Sequence, residues 1–145
     1  MTTVNIYLNF NGNCEQAFDF YKSVFRLEYS YFSRFKDIPH TENMASLSKD
    51  EAHRVLHVAL PISKETVLFG SDTVGEMNSN LMQGNNFSIN VTVDSVEEAN
   101  RLFKHLSVGG HVIVPLNTTF WGAYFGQFTD KFGINWMISF ESSQN

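Results

Sequence analysis

Hydrophobic and polar positions follow two alternating periods along the chain. Val4-Asn-Ile-Tyr-Leu-Asn-Phe10 is short and apolar and is closed by Asn11-Gly12, which predicts a strand and a turn. Asn13 then stands where a helix N-cap belongs, with Gln16 three residues on at capping-box spacing. Ala17, Phe18, Tyr21, Val24 and Phe25 recur at helical spacing, so one face of that helix packs on a sheet. Leu27 to Phe35 is strand-like. Lys36 to Asp50 has no clean period and contains Pro39, which predicts a mobile loop. His53 to Leu60 alternates around Val55, Leu56 and Val58, Pro61 ends it, and Thr66 to Asp72 predicts a further strand. The order is β-α-β-β-β.

Thr73 to Gln83 is polar, with Gly75, Asn78, Ser79 and Asn80, and reads as a linker. The same order then returns. Phe87 to Val93 alternates with period two, and a helix follows from Ser95 to about Ser107. Ser95 and Glu98 form a capping box, and Gly109-Gly110 ends the helix. His111 to Leu116, Ala123 to Thr129 and Asn135 to Phe140 supply three more strands. The last two flank Asp130-Lys-Phe-Gly133, a turn in which Gly133 takes the positive-φ position. With an offset of 82 residues (14 onto 96), Glu15, Ala17, Tyr21 and Lys22 fall on Glu97, Ala99, Phe103 and Lys104. Matching helix and matching strand order together predict a duplicated unit. The boundaries are about 3–72 for module 1, 73–85 for the linker and 86–141 for module 2, within a single domain spanning 1–145.

Composition narrows the function classes. A chain of 145 residues holds a core of its own, and 14 Phe point to a large one. The net charge of −5, with no basic run, argues against nucleic acid or an anionic membrane as partner. The single cysteine, Cys14, leaves no internal disulfide, as expected in a reducing compartment. No basic-plus-apolar signal precedes the first strand and no apolar run approaches ~18 residues, so a cytoplasmic protein is expected.

The paired β-α-β-β-β pattern resembles the vicinal-oxygen-chelate superfamily of glyoxalases, bleomycin-resistance proteins and extradiol dioxygenases. It is most similar to the PhnB-like branch, often labelled demethylubiquinone methyltransferase-like. The resemblance is carried by the stretches 7–21 (Tyr7 to Tyr21), 84–89 (Gly84 to Ile89), Phe120-Trp-Gly122 and Thr129-Asp-Lys-Phe-Gly-Ile-Asn-Trp136. It implies an α+β fold: two paired β-α-β-β-β modules forming a curved, half-open mixed sheet, with one main helix per module. It also implies a homodimer, and in metalloenzyme members a divalent ion held in a cup by residues of the first and last strands of each module. Carried over by pattern, those places are Ile6 and Ser88 on the first strands, and Met137 and Phe69 or its neighbour on the last. Only Ser88 has an oxygen, and catalytic sites need about three N, O or S ligands. No metal site and no cofactor is therefore expected.

Other chemistry is sparse. His53 and His57 share a strand face but lie roughly 13 Å apart at ~3.3 Å per residue, too far for one ion. His57 with Asp72 or Glu28 across the sheet is an alternative, against the plainer reading of a histidine hydrogen-bonded within the sheet. His40, His105 and His111 read as surface residues. No glycine-rich turn joins a parallel strand to a helix, as a doubly wound methyltransferase needs. Cys14, at a helix start, is read as a small buried hydrophobe. What remains is the cup. Strand alternation after the resemblance assigns Ile6, Leu8 and Phe10 to one half, and Ser88, Asn90 and Thr92 to the other. His57, Met137 and the aromatics Trp121, Phe125 and Trp136 are nearby. Such a lining suits a planar or amphipathic small molecule as partner. Three functions stay open: metal-free small-molecule binding, a metal-dependent lyase, isomerase or dioxygenase with displaced ligands, and a structural role with a filled cavity. No catalytic residue is assigned.

Overall fold

A computed structural model describes residues 1–38, 47–75 and 80–141. The chain divides into two compact units, Met1–Met82 and Gln83–Asn145. The part of the predicted loop at 39–46 and the part of the predicted linker at 76–79 lie outside the described residues.

The first unit comprises β1 (Ile6–Phe10), α1 (Cys14–Phe25), β2 (Tyr31–Arg34), a 3-10 turn (Phe35–Asp37), α2 (Lys49–His53), β3 (Val55–Pro61) and β4 (Val67–Asp72). Its sheet runs β1-β4-β3-β2. β1 and β4 are parallel, and the remaining pairs are antiparallel. α1 buries Cys14, Ala17, Phe18, Tyr21 and Val24, the stripe expected from helical spacing. Phe18 meets Phe10 edge-on and lies over Gly70, where an added Cβ would overlap its ring. The helix therefore sits on the face carrying Leu8, Phe10, Leu68 and Gly70.

Asn13 occupies the N-cap of α1, but its side chain makes no cap hydrogen bond. Asp72, at the end of β4, performs that task instead. Its Oδ1 accepts from the backbone N–H groups of Gly12 and Cys14, each at 2.9 Å, and its Oδ2 accepts from Val55 N at 2.9 Å. A carboxylate is the stronger cap because it carries full charge at the positive helix end. The aperiodic stretch before β3 holds the 3-10 turn and α2, which sequence spacing missed. α2 is a single short turn of helix with a complete capping box, Ser48 to Glu51. His53 closes that helix rather than sharing a strand with His57.

The second unit comprises β5 (Ile89–Thr92), α3 (Val96–Leu106), β6 (His111–Thr118), β7 (Ala123–Thr129) and β8 (Asn135–Glu141), with sheet order β5-β8-β7-β6. Ser95 caps α3 by accepting from Glu98 N at 3.1 Å, while the Glu98 carboxylate takes the Arg101 guanidinium. α3 buries Ala99, Leu102 and Leu106. Gly126 of β7 lies beneath Phe103, and Phe128 meets that ring edge-on. The β7–β8 turn forms where predicted, with Gly133 at φ 89°. Asp130, 3% exposed, organises it: Oδ1 accepts from Phe132 N and Ile134 N, and Oδ2 from Trp136 Nε1 at 2.8 Å. Two four-stranded mixed sheets, each with one main helix, give the expected α+β fold.

Candidate functional site

Each sheet has one face under its helix and one face turned away from it. Side chains alternate along a strand, so pairing register assigns every strand residue to a face. In the first unit, Tyr7, Asn9, Tyr31, Ser33, His57, Ala59, Phe69 and Ser71 face away from α1. No Asp, Glu, Lys or Arg stands among these eight. The Tyr7 hydroxyl lies 3.1 Å from His57 Nδ1. The His57 ring is 5.6 Å from Tyr7, 5.6 Å from Tyr31 and 5.4 Å from Phe69, centroid to centroid. Beside this group Ser71 Oγ donates to Asn9 Oδ1 at 3.3 Å.

In the second unit, Asn90, Thr92, Phe125, Gln127, Met137 and Ser139 occupy the face away from α3. Asn90, Thr92 and Ser139 are joined side chain to side chain: Thr92 Oγ1 and Ser139 Oγ are 3.3 Å apart, and Ser139 Oγ donates to Asn90 Oδ1 at 3.4 Å. Phe125 pairs with Ser139 across the ladder and approaches Trp121 at 6.4 Å between ring centroids. Phe120 and Trp121 form the exposed tip between β6 and β7, 97% and 59% accessible, with Gly122 at φ 94° completing the turn.

The residues of the expected lining fall on both faces of the sheets. His57, Asn90, Phe125 and Met137 stand on the faces away from the helices, and Trp121 lies beside Phe125. Ser88 precedes β5 and is not part of a strand. Leu8 and Phe10, by contrast, are buried on the helix side at 4% and 2% exposure, and Ile6 shares their parity. Trp136 is likewise core, at 1%. The cause is a one-residue difference in facing. The helices correspond with an offset of 82 (17 onto 99), but the strands correspond with 83: Tyr7 matches Asn90 and Asn9 matches Thr92. The alternation carried over from the resemblance therefore put Ile6, Leu8 and Phe10 toward the cup, where the structure has Tyr7 and Asn9 on the open face. Tyr7 and Asn9 were missed for this reason, although they already stood alternate to apolar Ile6, Leu8 and Phe10; Ser33 lies on β2, to which the sequence assigned no face.

Asp72 belongs to the helix face of β4, across the sheet from His57, and Glu28 is paired with Lys22 at 3.4 Å, so neither joins His57. Cys14 is buried, and burial together with the Asp72 and Glu15 carboxylates pushes its thiol well above the ordinary range. A neutral thiol of that kind is a poor nucleophile.

Two β-α-β-β-β units with these open faces define a glyoxalase-type fold. The chain belongs to the Glyoxalase/Bleomycin resistance protein/Dioxygenase superfamily, whose family model matches residues 3–138. It is 30% identical over 143 residues to Protein YjdN of Escherichia coli (strain K12), covering 95% of each chain. Among solved structures it is similar to protein PA1353 from Pseudomonas aeruginosa, with a TM-score of 0.80, 34% identity, and coverage of 97% of this chain and 98% of that one. It also resembles the PhnB protein from Bacillus cereus, which carries the provisional name 3-demethylubiquinone-9 3-methyltransferase. That match has a TM-score of 0.74 and 23% identity, covering 96% of this chain and 99% of that one.

The family implies a divalent metal in its metalloenzymes, held by first and last strands. The open-face residues paired between those strands here are Tyr7, Asn9, Phe69 and Ser71, and Asn90, Thr92, Met137 and Ser139, with Glu141 following on the same face at the end of β8. Phenol, amide, hydroxyl and thioether groups do not suit a hard or borderline divalent ion that takes imidazole and carboxylate, and Glu141 adds one carboxylate where about three ligands are needed. Among the described residues, no group of three or more His, Cys, Asp or Glu side chains is gathered where it would hold one.

Proposed function

We propose that this chain binds a small molecule on the open faces of its sheets and does so without the divalent metal of its superfamily. The observation that carries this reading is the chemistry of those faces. The helix sides hold the core, while the open faces combine aromatic rings with neutral hydrogen-bonding groups at the strand positions where the family's metalloenzymes keep ligands. Apolar surface with a few placed polar groups is the usual character of a small-molecule site. A cytoplasmic location belongs to the same reading, supported by the lone cysteine; among the described residues no helix is long and apolar enough to cross a membrane.

The test is metal content together with ligand binding. The purified, tag-free protein is dialysed separately against nickel, zinc, manganese and ferrous iron, and its metal is counted by plasma mass spectrometry. The expected result is no retained metal, with thermal stabilisation by members of a metabolite library. About one metal per chain, lost on His57→Ala, would establish the metal-dependent alternative instead.

A homodimer is part of the proposal. Its support is β6, an edge strand that exposes Val112, Ile113 and Val114. Exposed apolar edge strands invite pairing with another chain. Light scattering on a size-exclusion column would give twice the chain mass, and Ile113→Lys would shift it toward the single chain. A monomer at all concentrations refutes this part alone.

A further inference from the structure

Ser33 Oγ is buried and makes no hydrogen bond, in a residue only 7% exposed. Native proteins retain few such groups, because a hydroxyl withdrawn from water without a partner is destabilising. Ser33 pairs directly with His57 in the β2–β3 ladder, so the two side chains leave the sheet on the same face, about 5 Å apart at Cβ. The phenol of Tyr7 meets His57 Nδ1. With that phenol donating, the imidazole proton resides on Nε2, which gives the face a second donor next to the first. The rings of Tyr7, Tyr31 and Phe69 surround the pair.

Resting on the small-molecule reading and making it more specific, we propose that the open face of the first unit selects a flat, uncharged ligand with a conjugated ring and a carbonyl oxygen. The three rings take the apolar part, since aromatic surfaces favour stacked or edge contacts with one another. The Ser33 hydroxyl and His57 Nε2–H donate to the oxygen, which has two lone pairs to accept them. Charge on the ligand is disfavoured because no Asp, Glu, Lys or Arg stands among the strand residues of this face, and an unpaired charge there would lose its hydration.

The test uses acetophenone, with ethylbenzene as the probe of the same ring that lacks the oxygen. Both are titrated into the full chain carrying isotope-labelled histidine and followed by NMR at the His57 ring. Acetophenone is expected to shift and saturate the His57 signals, and ethylbenzene to leave them in place. Ser33→Ala is expected to weaken acetophenone binding about fivefold, the loss of one hydrogen bond. The same variant leaves the melting temperature equal or higher, since it removes an unsatisfied hydroxyl, an outcome that a merely structural role for Ser33 would not give. The inference is overturned if the two probes act alike, if acetophenone does not reach His57, or if Ser33→Ala binds it as the unaltered chain does. Library ligands that bind Ser33→Ala undiminished and move only signals of the second unit would sink this inference while leaving the broader proposal standing. Failure of the library as well would remove both.

Discussion

Asp72 Oδ1 lies 2.9 Å from the backbone nitrogen of Cys14, so the last residue of β4 caps the helix that begins with the chain's only cysteine. The contact joins two points 58 residues apart and fixes α1 on its sheet. Asp72 is 2% exposed and accepts three backbone N–H groups. Asp72→Ala leaves those donors buried without it, and a loss of about 3 kcal/mol or more is expected by denaturant titration. Asp72→Asn keeps an acceptor oxygen and should lose less.

The same contact governs the thiol. Burial first, and then the nearby Asp72 and Glu15 carboxylates, disfavour the thiolate of Cys14. Native protein should therefore react with iodoacetamide only as fast as it opens, with full labelling in denaturant. Rapid labelling at neutral pH under native conditions would contradict this.

Gly70 lies under the ring of Phe18, where a methyl group has no room. Gly70→Ala should cost about 2 kcal/mol as α1 is pushed from the sheet. Phe18→Leu in the same chain should recover part of that loss, which a purely local backbone effect at residue 70 would not allow. Thermal melts of the two single variants and the double variant measure the coupling.

The Arg34 guanidinium holds both carboxylate oxygens of Glu15, at 2.9 and 2.8 Å, and this hydrogen bonding lowers the Glu15 pKa from its ordinary 4.5. A carboxyl with a depressed folded-state pKa contributes stability that is fully present above the ordinary value and is lost as pH falls through the folded one. The pair is partly exposed, so at neutral pH it is worth below about 1 kcal/mol. Glu15→Gln should lower the melting temperature slightly at pH 7. That difference should shrink as pH is lowered from about 5 to about 3. A difference that grows toward acid would mean the opposite shift.

Arg26 ends α1 at φ 58°, the left-handed conformation that suits glycine, while its N–H bonds to Lys22 O. Arg26→Gly should raise stability by about 0.5 kcal/mol, the relief of left-handed strain less the entropy of a freer unfolded chain. Urea midpoints at constant slope would register it.

The sequence by itself determined the helices α1 and α3, the β7–β8 turn and the repeated order of elements, because each rests on local physics. Apolar residues at helical spacing mark α1 and α3, Ser95 precedes α3 as a cap, and Asp130 and Gly133 supply the chemistry of the turn. Stretches spread over nearly the whole chain carried the superfamily as well. Which face of β1 is open was a tertiary matter. Ile6-Tyr-Leu-Asn-Phe10 has bulky side chains on both faces, and with a period of two, one residue of slip exchanges them all. Phe18 over Gly70 makes that choice, by taking the side on which Leu8 and Phe10 lie. The cap on α1 came from Asp72 rather than Asn13 for a related reason, since only folding brings β4 to that helix end. The meeting of Ser33, His57 and Tyr7 from three strands is likewise a property of pairing register, which no local spacing records.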